Sequence, residues 1–160
     1  MDWTILVAVE AVPQSRGVIA AAVRMALTLR AEVVVLSVRE REYTRGLVWD
    51  RRPSGEIAEL INRTIFEFQR VGLHATGVMR TARSGQVAEE IVDAAHRHRA
   101  GTIVLGSSGR SWVGALLSSS VSPRVVRLSD LPVVVVPTRG PRAAGQPAAS
   151  PSRSTAAPKR

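Results

Sequence analysis

Residues Val104–Ser122 read VLGSSGRSWVGALLSSSVS. An apolar run stops at Gly106-Ser107-Ser108-Gly109, and the serines Ser118–Ser120 lead into a second patterned segment. The run reaches back to Thr102, and its unbroken apolar character is that of a strand buried on both faces. Gly106 and Gly109 let the backbone turn tightly and approach another group with no Cβ in the way. A helix is expected to start between Ser120 and Pro123, because proline is tolerated in a first turn, where its missing N–H costs no bond. A buried strand feeding a glycine loop and then a helix is half of a β-α-β unit, so the flanking segments decide the fold.

They repeat the same alternation. Thr4–Val9 (TILVAV) and Val33–Val38 (VVVLSV) are short, β-rich and apolar, as buried strands are. Leu73–Arg80 is a weaker strand, and Leu131–Val136 (LPVVVV) is a last one, bounded by Pro132 and Pro137. Between them lie helical stripes. The first is Val18, Ile19, Ala22, Val23, Ala26 and Leu27, with Ser15 as N-cap. The second is Ile57, Leu60, Ile61, Ile65 and Phe68, stopped by Gly72. The third is Val87, Ile91, Ala94 and Ala95, opening at Ser84 or Gly85. The order β-α-β-α-β-α-β-α-β predicts an α/β fold, a parallel sheet with helices on both faces and right-handed crossovers. Residues 39–55, REREYTRGLVWDRRPSG, are charged, irregular and long for such a connection, where roughly 2–6 residues are usual. They read as a mobile surface loop or as a lid whose Arg45, Arg51 and Arg52 would suit phosphates.

Composition narrows the class. The chain has 160 residues, 45% of them hydrophobic, which suits one globular domain rather than a disordered chain. No apolar run approaches the ~18 residues of a membrane span, and the acidic start MDWTILVAVE lacks the basic region of a secretory signal. With no cysteine there is no disulfide, thiolate metal site or cysteine nucleophile. These features make a cytoplasmic location the expectation. Of the net charge of +9, five units belong to Arg139, Arg142, Arg153, Lys159 and Arg160, leaving +4 for the body, spread among acids. Residues 1–137 are therefore read as the domain and 138–160 as a disordered basic Ala/Pro/Ser-rich tail. That tail has no aromatic residue for base stacking, so no specific nucleic-acid partner is expected.

In open α/β sheets, ligands bind beyond the carboxyl ends of the strands, where the strand order reverses. The Leu105–Gly109 loop lies at such an end. Backbone amides in a glycine turn form an anion-binding nest, and Ser118, Ser119, Ser120 and Ser122 add hydroxyls at a helix N-terminus. Arg110 adds a cation suited to a phosphate oxygen. The same residue types also serve as plain loop residues and an N-cap, and their chemistry alone leaves both readings open. No G-x-x-x-x-G-K-[ST] is present, since Gly109–Gly114 is followed by Ala115-Leu116, and the first strand is followed by VEAVPQS rather than G-x-G-x-x-G. P-loop NTPases and dinucleotide dehydrogenases are thereby disfavoured.

Gly106-x-x-Gly109, nine residues, then Ser119-Ser120 resembles the universal stress protein signature Gly-2x-Gly-9x-Gly-[Ser/Thr]. ILVAVE resembles that family's first strand, SGQVAEEIVDAA its third helix entry, TIVLGSSGR its fourth strand and loop, and LPVVVVP its last strand, together spanning about residues 2–137. The resemblance implies an open five-stranded parallel sheet of order 3-2-1-4-5, commonly dimeric through its last strand, here residues 131–136. It implies a stress-responsive regulator that binds ATP, with Mg²⁺, and hydrolyses it slowly or not at all. Carried over by position, adenine and ribose would lie near Ala8, Val9, Glu10 and Val38. The phosphates would lie on Gly106, Gly109, Ser119, Ser120, Val121 and Ser122, with Leu105 beneath. Two positions depart from the pattern. The motif's later glycine is Ser119, and the usual Asp-Gly-Ser after the first strand is Glu10-Ala11-Val12. A branch of the family that binds no nucleotide and acts by dimerisation and protein association is the alternative.

No catalytic residue and no metal ligand is assigned. His96 and His98 do not share a helix face, and His74 stands apart, so all three histidines read as surface groups. Glu89, Glu90 and Asp93 read as a solvated helix face. Glu10 is read as a ribose contact, and Trp112 as a residue packed in the loop or covering the site.

Overall fold

A computed structural model describes residues 3–10, 15–50, 52–107 and 121–137. Strand β1 (Thr4–Ala8) leads to helix α1 (Ser15–Leu29), then β2 (Glu32–Thr44), β3 (Leu47–Asp50) and α2 (Ser54–Gln69). Strand β4 (Ala75–Arg83), α3 (Val87–Arg97), β5 (Thr102–Ser107), α4 (Val121–Leu128) and β6 (Val133–Pro137) complete the described chain. Five strands run parallel in the order β4-β2-β1-β5-β6, so the chain doubles back between β4 and β5. This is the expected 3-2-1-4-5 arrangement, enlarged by β3, a sixth, antiparallel strand that the sequence reading lacked.

The two faces of the sheet bury different helices, as the alternation of strand side chains requires. Ile5, Val7, Val9, Val33, Val35, Ala75 and Val104 form one core with Val18, Ala22 and Ala26 of α1 and Ile57, Ile61 and Phe68 of α2. Leu6, Val34, Leu36, Ile103 and Leu105 point the other way, into Ala88, Ile91, Ala94 and Ala95 of α3 and Val125 of α4. Crossovers on one side of β1 thus use one face and those on the other side use the opposite face. That is the doubly wound pattern a right-handed connection enforces.

Three helices end alike. The N–H groups of Ala31, Leu73 and Ala100 donate back to the carbonyls of Ala26, Phe68 and Ala95. The residue before each donor, Arg30, Gly72 or Arg99, has positive φ, completing the six-to-one bond of a Schellman stop. Only Gly72 could be read as a stop beforehand.

The segment expected as an irregular loop or lid is a correction. Strand β2 continues to Thr44 rather than ending at Val38, turns at Arg45–Gly46 and returns as β3, pairing Arg41 with Asp50 and Thr44 with Leu47. Arg45 and Gly46 have φ of 48° and 79°, the two positive values of a type I′ hairpin turn. Arginine is a poor residue there, because its Cβ crowds the carbonyl in the left-handed region. Arg45→Asn is expected to raise stability by about 0.5–1 kcal/mol, read as a higher urea midpoint at unchanged slope. The hairpin base is tied down on both faces. Arg41 Nε donates to Asp50 Oδ1 at 2.7 Å, and Arg39 donates to Thr81 Oγ1 at 3.1 Å. On the other face, Glu40 Oε1 accepts from Ser84 Oγ at 2.9 Å. The hydrogen bond from Arg41 to Asp50, and then the Asp50 charge, hold the guanidinium above its ordinary pKa.

Glu89, Glu90 and Asp93 are likewise not a simple solvated row. Arg80 of β4 reaches Glu90 at 3.2 Å and Asp93 at 3.4 Å, while Arg124 of α4 pairs with Glu89 and donates to the Gly85 carbonyl at 2.9 Å. These bonds join α3 to its neighbours on the α4 side of the sheet. Among the described residues no helix is long and apolar enough to cross a membrane.

Candidate functional site at the strand exits

The candidate site is built where β1 and β5 part. Their ladder runs Ile5–Thr102, Leu6–Ile103 and Val7–Val104 and then stops, although β5 continues to Ser107 against β6. Beyond that last pair lie Ala8, Val9 and Glu10 on one strand and Leu105 and Gly106 on the other. Val9 and Leu105 are buried, Ala8 and Gly106 half-buried, and Glu10 exposed. Strand β2 supplies the third wall. Its backbone groups alternate between neighbours, so that Val33 N–H donates to His74 beside β4, while Leu36 C=O accepts Val9 N–H at 2.9 Å. By the same alternation the N–H and C=O of Val38 face the β1 edge, two residues past the last β1–β2 pair, Ala8–Leu36.

Two buried hydroxyls fasten this region. Ser37, 5% exposed, donates from Oγ to the Val9 carbonyl at 3.1 Å. Ser122, 4% exposed in the first turn of α4, donates to the Gly106 carbonyl at 2.7 Å. The start of α4 is thereby held against the exit of β5, with Val121 half-buried beside it. The free N–H groups of a helix start favour negative charge.

The hairpin stands on the same edge. Arg41 C=O accepts from Ser84 N–H beside β4, so the alternate residues Glu42 and Thr44 turn their backbone groups to the other side. A two-residue turn closes on a hydrogen-bonded pair, here Thr44–Leu47, which puts β3 on the β1 side of β2, past the end of β1. Trp49 and Leu47 are exposed on this arm, as are Tyr43 and Val48. The Arg83 guanidinium lies 5.3 Å from the Tyr43 ring centre.

The structure therefore brings together Ala8, Val9, Glu10, Val38, Leu105, Gly106, Val121 and Ser122 of the residues named from sequence. Gly109, Arg110, Ser119 and Ser120, with Trp112, the 138–160 tail and Ala11-Val12, lie outside the described residues. Sequence reasoning missed Ser37 and the hairpin. A single hydroxyl inside VVVLSV was the only signal for the former. The histidines are exposed, with His74 3.6 Å from Glu32 and His96 3.1 Å from Asp130. Among the described residues no group of three or more His, Cys, Asp or Glu is arranged to hold a metal ion.

A doubly wound α/β sheet whose strand order reverses between β4 and β5 defines the Rossmann-like class of folds. The profile of the universal stress protein family matches residues 3–137, and the chain belongs to that family. No curated protein matches it. Among solved structures, a universal stress protein from Archaeoglobus fulgidus is similar over 85% of this chain and 99% of its own, at 21% identity and a TM-score of 0.66. A universal stress protein in complex with cAMP matches 86% of this chain and 98% of its own, at 20% identity and a TM-score of 0.66. The A. fulgidus protein in complex with dAMP matches 84% and 97%, at 20% identity and a TM-score of 0.60. At such identities the likeness shows the shared fold.

Proposed function

We propose that this chain is a stress-responsive regulatory protein that binds an adenine nucleotide, ATP with Mg²⁺, and turns it over slowly or not at all. The observation that carries the reading is the meeting of the β1 exit, the Val38 backbone, Gly106 and the first turn of α4 at one edge of the sheet. The donor set fits the ligand. Val38 offers an N–H and a C=O side by side, the complement of an adenine edge, and Glu10 offers a carboxylate for a ribose hydroxyl. Gly106 gives phosphate oxygens a close approach to the backbone, and the N–H groups at the start of α4 favour their charge. Gly109, Arg110, Ser119 and Ser120 complete the phosphate half. Relatives of the same fold solved with cAMP and dAMP support an adenine ligand. In this reading the nucleotide is held rather than consumed, and the readout is a changed protein surface rather than a product. We further infer a cytoplasmic homodimer joined through residues 131–136, since β6 is an edge strand whose valines are only half-buried.

The test is calorimetric titration of ATP and Mg²⁺ into the protein and into Gly109→Val. Micromolar binding that the variant weakens at least about tenfold is the expected result. No heat from the unaltered protein, with an unshifted melting temperature, would overturn it. That outcome favours the second reading, a family member acting by protein association alone, for which Ser119 in the glycine position and Ala11-Val12 are the sequence grounds.

A further inference from the structure

The two buried serines carry an inference that rests on the nucleotide reading and deepens it. A serine hydroxyl has one proton to donate. In Ser122 that proton is directed to the Gly106 carbonyl at 2.7 Å, and in Ser37 to the Val9 carbonyl at 3.1 Å. Both side chains are more than nine-tenths buried. A phosphate oxygen needs donors, so while these bonds hold neither hydroxyl serves it. What the hydroxyls control is the chain. The peptide unit is planar and resists twisting, so holding its carbonyl oxygen sets the plane of the whole unit. Ser37 thereby sets the Val9–Glu10 peptide, and Ser122 sets the Gly106–Ser107 peptide. Both units lie past Val7–Val104, the last pair that β1 and β5 make.

We propose that Ser37 and Ser122 are positioning residues, each setting one half of the site through a carbonyl. Ser37 fixes the exit that bears Glu10 and faces Val38, where base and ribose would lie. Ser122 fixes Gly106, where the phosphates would lie, and contributes to them only its backbone N–H. Each hydroxyl comes from an element other than the one it holds, β2 for the β1 exit and α4 for the β5 exit. A local turn could not substitute for either.

The experiment crosses two ligands with three variants. ATP with Mg²⁺ and adenosine are titrated into the unaltered protein, Ser37→Ala, Ser122→Ala and Ser122→Thr. Ser122→Ala is expected to lose about tenfold in ATP affinity and less than about twofold for adenosine, with the threonine variant restoring ATP binding. Ser37→Ala is expected to lose about tenfold for both ligands. Equal losses for both ligands in Ser122→Ala, or none, would overturn the proposal, because a merely structural serine has no reason to separate phosphate from nucleoside. The ligand-free proteins give a second reading by NMR. The carbonyl carbon of Gly106 should shift in Ser122→Ala and return in Ser122→Thr, and that of Val9 should shift in Ser37→Ala. Unmoved carbonyl signals overturn the struts. No heat from the unaltered protein overturns the nucleotide reading instead, and the carbonyl shifts then decide the struts by themselves.

Discussion

Phe68→Ala is expected to remove about 3–5 kcal/mol of folding stability, a large part of the roughly 5–15 kcal/mol a domain possesses. Among the described residues Phe68 is the largest fully buried side chain, and it sits one residue from the end of α2. Its ring belongs to the core that joins α2 to the α1 side of the sheet, with Val33, Leu73 and Ala75. Truncation loses the transfer energy of the ring and leaves a cavity that a helix anchored at both ends cannot collapse around. The Leu73 N–H donates to the Phe68 carbonyl, so the same residue closes the helix stop that directs the chain into β4. Urea unfolding should show the midpoint fall at unchanged slope, with Phe68→Leu recovering more than half of the loss. A loss below about 1 kcal/mol would mean that α2 is not seated on this face.

The contrast between Phe68 and the hairpin shows what kind of information a sequence carries. Ile57, Ile61 and Phe68 declare a helix face because burial repeats with the helix period, and the structure buries those three. The parallel strands were legible for a similar reason, since a strand covered on both faces must be apolar throughout. That signal ends at Val38, where cover ends, but hydrogen-bonded pairing does not. Strand β2 goes on through REREYT, held by β4 to Arg41 and by β3 to Thr44. Charged residues on an exposed ribbon look like a loop because no period of burial marks them. The turn was also concealed, since Arg45 occupies a position where asparagine or glycine would have signalled a hairpin. Arg30 and Arg99 hide two helix stops in the same way.

The candidate site divides along a related line. Its glycines and serines could be placed at a strand exit from sequence, because chain order and strand character fix which loops follow which ends. The assignment of individual residues to base, ribose or phosphate came through resemblance to a family. The bonds from Ser37 to Val9 and from Ser122 to Gly106 were legible from neither. They join positions 28 and 16 residues apart, and depend on the register of two strands and the seating of a helix. Family membership accounts for the order of the strands, while these bonds describe how this chain fixes two of their exits.

Gly77→Val sets two magnitudes against each other. Gly77 lies on β4, opposite Val35, on the face that carries α2. Strand propensity favours valine over glycine by up to about 1 kcal/mol, so on an open strand the change would stabilise. Here a Cβ would stand 2.3 Å from Ile61 Cγ2 and 2.8 Å from Ile65 Cδ1. Ile65 can move its terminal methyl, but Ile61 is 6% exposed and its Cγ2 branches directly from Cβ, so no rotation of a long stem relieves the contact. Either α2 lifts from the sheet or β4 shifts from β2, and overpacking of this kind costs about 3 kcal/mol. The net expectation is a loss of about 2 kcal/mol or more, measured by urea unfolding. A cycle with Ile61→Ala identifies the cause. Gly77→Val should cost far less in the Ile61→Ala background than in the native one, because the added side chain then fills space that the truncation opened. Additive losses would place the strain elsewhere than the β4–α2 contact, and a stabilised single variant would show that the edge strand yields freely.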